Sequence, residues 1–128
     1  MEFLYDIIAL PSDPGNPQSP KLYHPKPYRP ARTTNRDVAE ELADGGTISI
    51  GEAQLVTEDY VRKLIRHVLQ GSITELSQYF SVYATFKSKG KATPQEVSGD
   101  DIDLHIVLRP TDLMLKELKK VKFKKREQ

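Results

Sequence analysis

The 128 residues are 38% hydrophobic and 29% charged, with a formal net charge of +1; that supports one compact domain, or a small domain with an appended arm, and excludes two sizeable cores. There is no cysteine, which rules out a disulfide framework and a thiolate zinc site and fits a reducing compartment. No apolar run is long enough to cross a bilayer, and the opening MEFLYDIIALPSD lacks the basic start and small-residue cleavage site of a signal peptide, so a cytoplasmic protein is expected.

FLYDIIAL (Phe3 to Leu10) alternates Phe3, Tyr5, Ile7 and Ala9 against Leu4, Asp6, Ile8 and Leu10, the pattern of a strand. PSDPGNPQSP then breaks regular structure as a long hairpin loop. KLYHPKPYRP holds three prolines, so it is expected as an edge strand closing a hairpin, in preference to a Pro-rich ligand for another protein's groove.

Thr34 or Asn35 caps a short helix through NRDVAEELAD, with Val38 and Leu42 on one face and Gly45 and Gly46 at its end. Ser49 and Glu52 stand in capping-box spacing and open a long helix with an apolar stripe of Val56, Tyr60, Val61, Leu64, Ile65 and Val68, closed by Gly71. YFSVYATF alternates Phe80, Val82, Ala84 and Phe86 against Tyr79, Ser81, Tyr83 and Thr85, and IDLHIVL alternates likewise with Ile102, Leu104, Ile106 and Leu108 inward. These two strands are expected to pair antiparallel across a brief helical turn at Thr93, Pro94 and Glu96. Last, Pro110 introduces a short Leu-spaced helix. From Lys116 to Gln128 seven basic residues face two acidic ones, a net of +5 that leaves −4 on the rest of the chain.

Several pieces together resemble the HU/IHF histone-like DNA-binding family, in particular an HU-like branch with an N-terminal Pro-rich hairpin and a compact arm. They are DPGNPQSPKLY, the L-x-G at Leu69 to Gly71, the Gly90 turn, EVSGDDI from Glu96 to Ile102, and LKKVKFKK from Leu118. The resemblance implies an α+β fold forming an intertwined homodimer: two N-terminal-side helices, a small antiparallel sheet and a short C-terminal helix, with an added N-terminal β-hairpin. The division expected is 1–32 for the hairpin extension, 33–121 for the HU-like domain and 122–128 for a basic tail. The chain departs from the family where glycines would flank an aromatic residue: LSQYFSV has Ser77 and Phe80, so a turn requiring positive φ there is expected to differ. A Pro-Gly-Lys start to the last helix is replaced by Pro110-Thr111-Asp112, which suits a helix N-terminus but repels phosphate. KSKGKATPQEV is too short for the long DNA-embracing arm, so the family's DNA-kinking proline is not carried over to Pro94.

The expected function is non-enzymatic, architectural binding of double-stranded DNA through backbone phosphates with low sequence specificity, at the bacterial nucleoid. The residues expected to carry it are Lys87, Lys89 and Lys91 of the arm, Arg109, and Lys116, Lys119, Lys120, Lys122, Lys124 and Lys125 of the basic end, with Arg126 also in the tail. Against this stands a solvated charged face, and a second function: the same dimer turned to protein contacts or assembly without DNA. Tyr79 and Tyr83 fit sheet-surface or interface packing better than base stacking. His24, His67 and His105 have no metal spacing. Ser72, Ser77 and Ser81 have no recognisable base partner, and the adjacent carboxylates Glu40 and Glu41, or Asp100 and Asp101, read as caps and solvated charges. No cofactor, metal, membrane or small-molecule substrate is expected.

Overall fold

A computed structural model describes residues 1–127. In chain order the elements are β1 (Glu2–Pro11), β2 (Lys21–Pro27), α1 (Asn35–Asp44), α2 (Ile50–Leu69), β3 (Thr74–Leu76), β4 (Phe80–Lys87), β5 (Asp103–Pro110), α3 (Asp112–Lys119) and β6 (Lys122–Lys125). Two short 3-10 turns, Pro94–Glu96 and Gly99–Asp101, lie between β4 and β5. The chain divides into two units, one of residues 1–32 with 117–128 and one of residues 33–116.

The first unit is a three-stranded sheet in the order β2-β1-β6. β1 and β2 pair antiparallel from Tyr5 opposite Pro27 to Pro11 opposite Lys21. The intervening loop is held by its own polar groups: the Ser12 N–H donates to the Pro20 carbonyl at 2.8 Å and the Ser19 hydroxyl to the Asn16 carbonyl at 2.8 Å. The Tyr28 N–H points inward to the Leu4 carbonyl at 3.0 Å. By alternation Pro25 and Pro27 occupy the positions whose N–H would face away from the sheet, which is where an edge strand tolerates proline. Residues 122–125, which the sequence sets apart as a basic tail, form the third strand, parallel to β1 with Glu2 opposite Lys122 and Tyr5 opposite Lys125.

In the second unit Thr34 caps α1: its hydroxyl oxygen accepts from the Asp37 N–H at 3.2 Å, and its own N–H donates to the Asp37 carboxylate at 2.8 Å. Ser49 caps α2 by accepting from the Glu52 N–H at 3.1 Å. Ala39 and Ala53 are fully buried, one on each helix; with Cβ alone at those positions the two backbones can approach closely. Gly71, at φ +96, ends α2 in the left-handed conformation that glycine adopts without steric cost.

β3, β4 and β5 form an antiparallel sheet in that order, with β4 and β5 in register from Phe80 opposite Pro110 to Lys87 opposite Asp103. The alternation expected of both strands is present, but its inward sense is not realised within one chain. Leu104, Ile106 and Leu108 are 48%, 58% and 54% exposed, while His105 and Val107 between them are half-buried. The reason is coverage: α2 packs on β3 and β4 and leaves the face of β5 without a layer over it. Most of the α2 stripe is likewise exposed, Val56, Tyr60, Val61 and Ile65 among it. Among the described residues the buried hydrophobics are Ala39, Ala53 and Val68 alone, far less than a chain of this length needs for an independent core.

The turn between β3 and β4 corrects a second expectation. The glycines are replaced, yet Ser77 still takes positive φ, at 56°. The hairpin geometry demands a left-handed residue there, and serine accepts the steric penalty that glycine would have avoided.

Candidate nucleic-acid interface

The residues expected to meet phosphate fall into three groups, with Arg109 apart from them. The first is the arm. β4 ends at Lys87, the chain turns at Gly90 with φ +79, and Lys87, Lys89 and Lys91 line a cleft of about 410 Å³ with Asp101 and Asp103. Asp101 is held by the second 3-10 turn, where one carboxylate oxygen accepts from the Ser98 N–H at 3.0 Å. Its other oxygen is 3.4 Å from the Lys91 ammonium. Asp103 stands opposite Lys87 in the β4–β5 register and its carboxylate is 3.2 Å from His105 Nε2. Of the three arm lysines, Lys89 alone has neither a carboxylate in ion-pair range nor one opposite it in the ladder, among the described residues.

Arg109 lies near the end of β5 opposite Ser81. The residue that organises the start of α3 is Thr111, which the sequence reading passed over in favour of Asp112. Its N–H donates to the Tyr79 carbonyl at 2.9 Å and its hydroxyl to the Gln78 carbonyl at 2.7 Å, while its oxygen accepts from the Met114 N–H at 3.3 Å. One side chain therefore caps the helix and ties it to the turn containing Ser77. Asp112 sits in the first turn, where its charge opposes the positive end of the helix.

The second group is Lys116, Lys119 and Lys120, whose spacing puts them along one face of α3 and its last turn. Lys120 is partly engaged, 2.9 Å from the Glu117 carboxylate. The third is β6, where strand alternation sends Lys122 and Lys124 to one face and Phe123 and Lys125 to the other. All four residues are exposed. Lys26 of β2, opposite Asp6, shares the face of Lys122 and Lys124; the period-2 pattern of LYHPKP was its signal, obscured by the prolines.

Arg126 has a different role from its neighbours. Its guanidinium donates to both oxygens of Asp6, at 2.9 and 3.1 Å, and lies 4.3 Å from the centroid of the Tyr28 ring. Hydrogen bonding to Asp6 raises its pKa still further above the ordinary arginine value. A cation satisfied in this way is a structural fastening and not a free phosphate ligand. Among the described residues no cluster of histidine, aspartate and glutamate is arranged to hold a metal, and no helix is long and apolar enough to cross a membrane.

Among the described residues the chain is a mixed α+β fold with three helices and two small sheets. The family model described as "HU domain fused to wHTH, Ig, or Glycine-rich motif" (HU-HIG) matches residues 1–125, and the chain belongs to that family. Its fold is similar to the crystal structure of a candidate bacterial DNA-binding protein from Bacteroides vulgatus, with a TM-score of 0.64 and 11% identity. The likeness covers 95% of this chain and 47% of the other, so this chain spans about half the length of that protein. No curated protein matches the sequence significantly.

Proposed function

We propose that this protein binds double-stranded DNA through backbone phosphates, with little sequence discrimination, as a non-enzymatic, architectural HU-like homodimer. The observation that carries the reading is the run of exposed lysines from Lys116 to Lys125 on a chain whose remainder is net acidic. Lysine ammonium groups bind phosphate as point charges, giving affinity without reading bases. Membership of an HU family supports the reading, as does the fold it shares with a candidate DNA-binding protein. The homodimer is supported by the uncovered face of Leu104, Ile106 and Leu108, which a second copy related by a two-fold axis would bury against its own. In the intertwined form of that dimer, the α2 stripes of both copies contribute to one shared core.

Anisotropy of a labelled random duplex across a salt series tests the reading. If about five phosphates are engaged, log affinity falls against log salt with a slope of about −4 to −5. A truncation ending at Val121 flattens that slope; no binding at low salt overturns the reading.

A second reading, the same dimer used for protein contacts or assembly without DNA, is favoured by the arm. There Asp101 engages Lys91 and Asp103 faces Lys87, so the arm carries little free positive charge.

A further inference from the structure

The sheet of the first unit has two outer edges of different character. On β2 two of the four outward backbone positions, Pro25 and Pro27, have no N–H to offer, leaving those of Lys21 and Tyr23. On β6 the Lys122 N–H bonds to the Met1 carbonyl at 3.1 Å and the Arg126 N–H to the Tyr5 carbonyl at 2.9 Å, so the even-numbered residues face inward. By alternation the N–H and C=O groups of Phe123 and Lys125 face outward. Among the described residues no strand takes them, and Phe123 is 72% exposed. This edge is ready to accept another strand, and the Arg126 to Asp6 contact holds it in place.

The two faces flanking that edge differ in chemistry. One presents Lys122 and Lys124. The other presents Phe123 and, at the strand's end, Lys125; the Phe123 ring centroid is 6.5 Å from that of Phe3, at the rim of an apolar groove of about 640 Å³ that continues over Tyr5, Ile7, Tyr23 and Pro25. A strand added to β6 would send alternate side chains to these two surfaces. Its residues on one side would meet the Lys122 and Lys124 ammonium groups, and those on the other an aromatic wall with Lys125 at one end.

We propose that the outer edge of β6 binds an extended segment of a partner protein in which carboxylates alternate with apolar residues, adding it to the sheet as a fourth strand. Backbone hydrogen bonds to Phe123 and Lys125 give the attachment, and the two-sided chemistry gives the selectivity. Charge complementarity singles out this occupant. A second copy of β6 laid antiparallel on the first brings lysine against lysine, which is repulsive at the spacing of paired strands. Duplex DNA would satisfy the lysines and leave the outward N–H groups and Phe123 without a role. The inference does not depend on the DNA-binding reading, since the contacts that define it are backbone pairing and the aromatic wall.

The test uses the full chain and a labelled octapeptide alternating Glu and Val, beside an isomer with the same residues in two blocks. The alternating peptide is expected to bind roughly tenfold tighter than the block isomer. Two further peptides, each N-methylated on one alternate set of amides, separate backbone pairing from charge without altering the protein: one set abolishes binding and the other leaves it. Lys125→Pro, compared with Lys125→Ala, removes the outward N–H at equal charge and weakens the peptide by roughly tenfold. Equal binding of the alternating and block peptides, or of both methylated ones, overturns the proposal. So does equal weakening of the alternating peptide by the proline and alanine variants, which would show that the outward N–H takes no part. A change in oligomeric state between those two variants would overturn it in favour of a second copy.

Discussion

The Arg126 guanidinium and the Asp6 carboxylate meet through two hydrogen bonds across 120 intervening steps of sequence, closing the end of the chain onto its beginning. Planar fork geometry makes this pairing stronger and more directional than a lysine could provide. Arg126→Lys is therefore expected to loosen β6 nearly as much as Arg126→Ala, with amide exchange at Lys122 and Lys124 rising roughly tenfold while β1–β2 protection is kept. Adding Asp6→Ala to Arg126→Ala should produce little further change, because the two residues act as one unit. Hydrogen exchange read by mass spectrometry or NMR decides this; protection unchanged at β6 would show that the strand is held by its ladder alone.

At α1 the link between charge and stability is direct. Hydrogen bonds from the Thr34 N–H and hydroxyl hold the Asp37 carboxylate below its ordinary pKa of 3.8. A carboxyl group with a lowered folded-state pKa stabilises the fold above its unfolded value and loses that contribution as pH falls through the folded value. The contribution of this cap is thus complete above about pH 4 to 5 and declines in more acidic solution. Asp37→Asn should flatten the acid limb of a pH-dependent denaturation curve. Thr34→Ala, which removes the cap acceptor at any pH, should cost about 1 kcal/mol at neutrality.

Ser77 supplies a prediction of opposite sign. A non-glycine residue at positive φ bears roughly 1–2 kcal/mol of steric penalty, partly offset by the roughly 0.5–1 kcal/mol of extra backbone entropy that glycine loses on folding. Ser77→Gly should stabilise the protein by up to about 1 kcal/mol, and Ser77→Val should destabilise it by more than that, since branching at Cβ worsens the same clash. Denaturant midpoints at constant slope measure both.

Which features could be read from the residues follows from how local their causes are. Thr34, Ser49 and Gly71 act within a turn or two of their own positions, and the helix boundaries they set were legible. The β4–β5 pair was legible too, because its period-2 alternation is carried by each strand separately. β6 was not: four residues, three of them lysine, look solvated until Glu2 to Tyr5 are brought beside them from the other end of the chain. Thr111 was missed for a similar reason, as its partners Gln78 and Tyr79 lie some thirty positions earlier. Arg126 resembles its basic neighbours in sequence and differs from them only through Asp6 and Tyr28. Of the expected phosphate ligands, sequence marks charge alone; that Asp101 engages Lys91, while no described carboxylate comparably engages Lys89, depends on the turn that positions Asp101.

The exposed β5 face supplies a test of the proposed homodimer. In the proposed homodimer a carboxylate placed at Ile106 would lie in the middle of the interface, where an unpaired charge is costly to bury. Ile106→Asp should shift the protein from dimer to monomer in light scattering and, because so little is buried within one chain, lower its thermal midpoint at the same time. Retention of a dimer with an unchanged midpoint would place the interface elsewhere.

Asp101 separates the two functional readings. Asp101→Asn removes the charge that engages Lys91 yet keeps an oxygen able to accept from the Ser98 N–H, so the turn is preserved. If the arm contacts DNA, the variant frees one ammonium for phosphate. The slope of log affinity against log salt should then steepen by about 0.9, the value for one additional phosphate on a duplex, and affinity at low salt should rise several-fold. If the arm is turned away from DNA, neither quantity changes, although the tail truncation still reduces both. An arm that proves silent in this measurement while the lysines of α3 and β6 remain active would confine the phosphate contacts to the terminal helix and strand, leaving the near-neutral arm to the protein-contact reading.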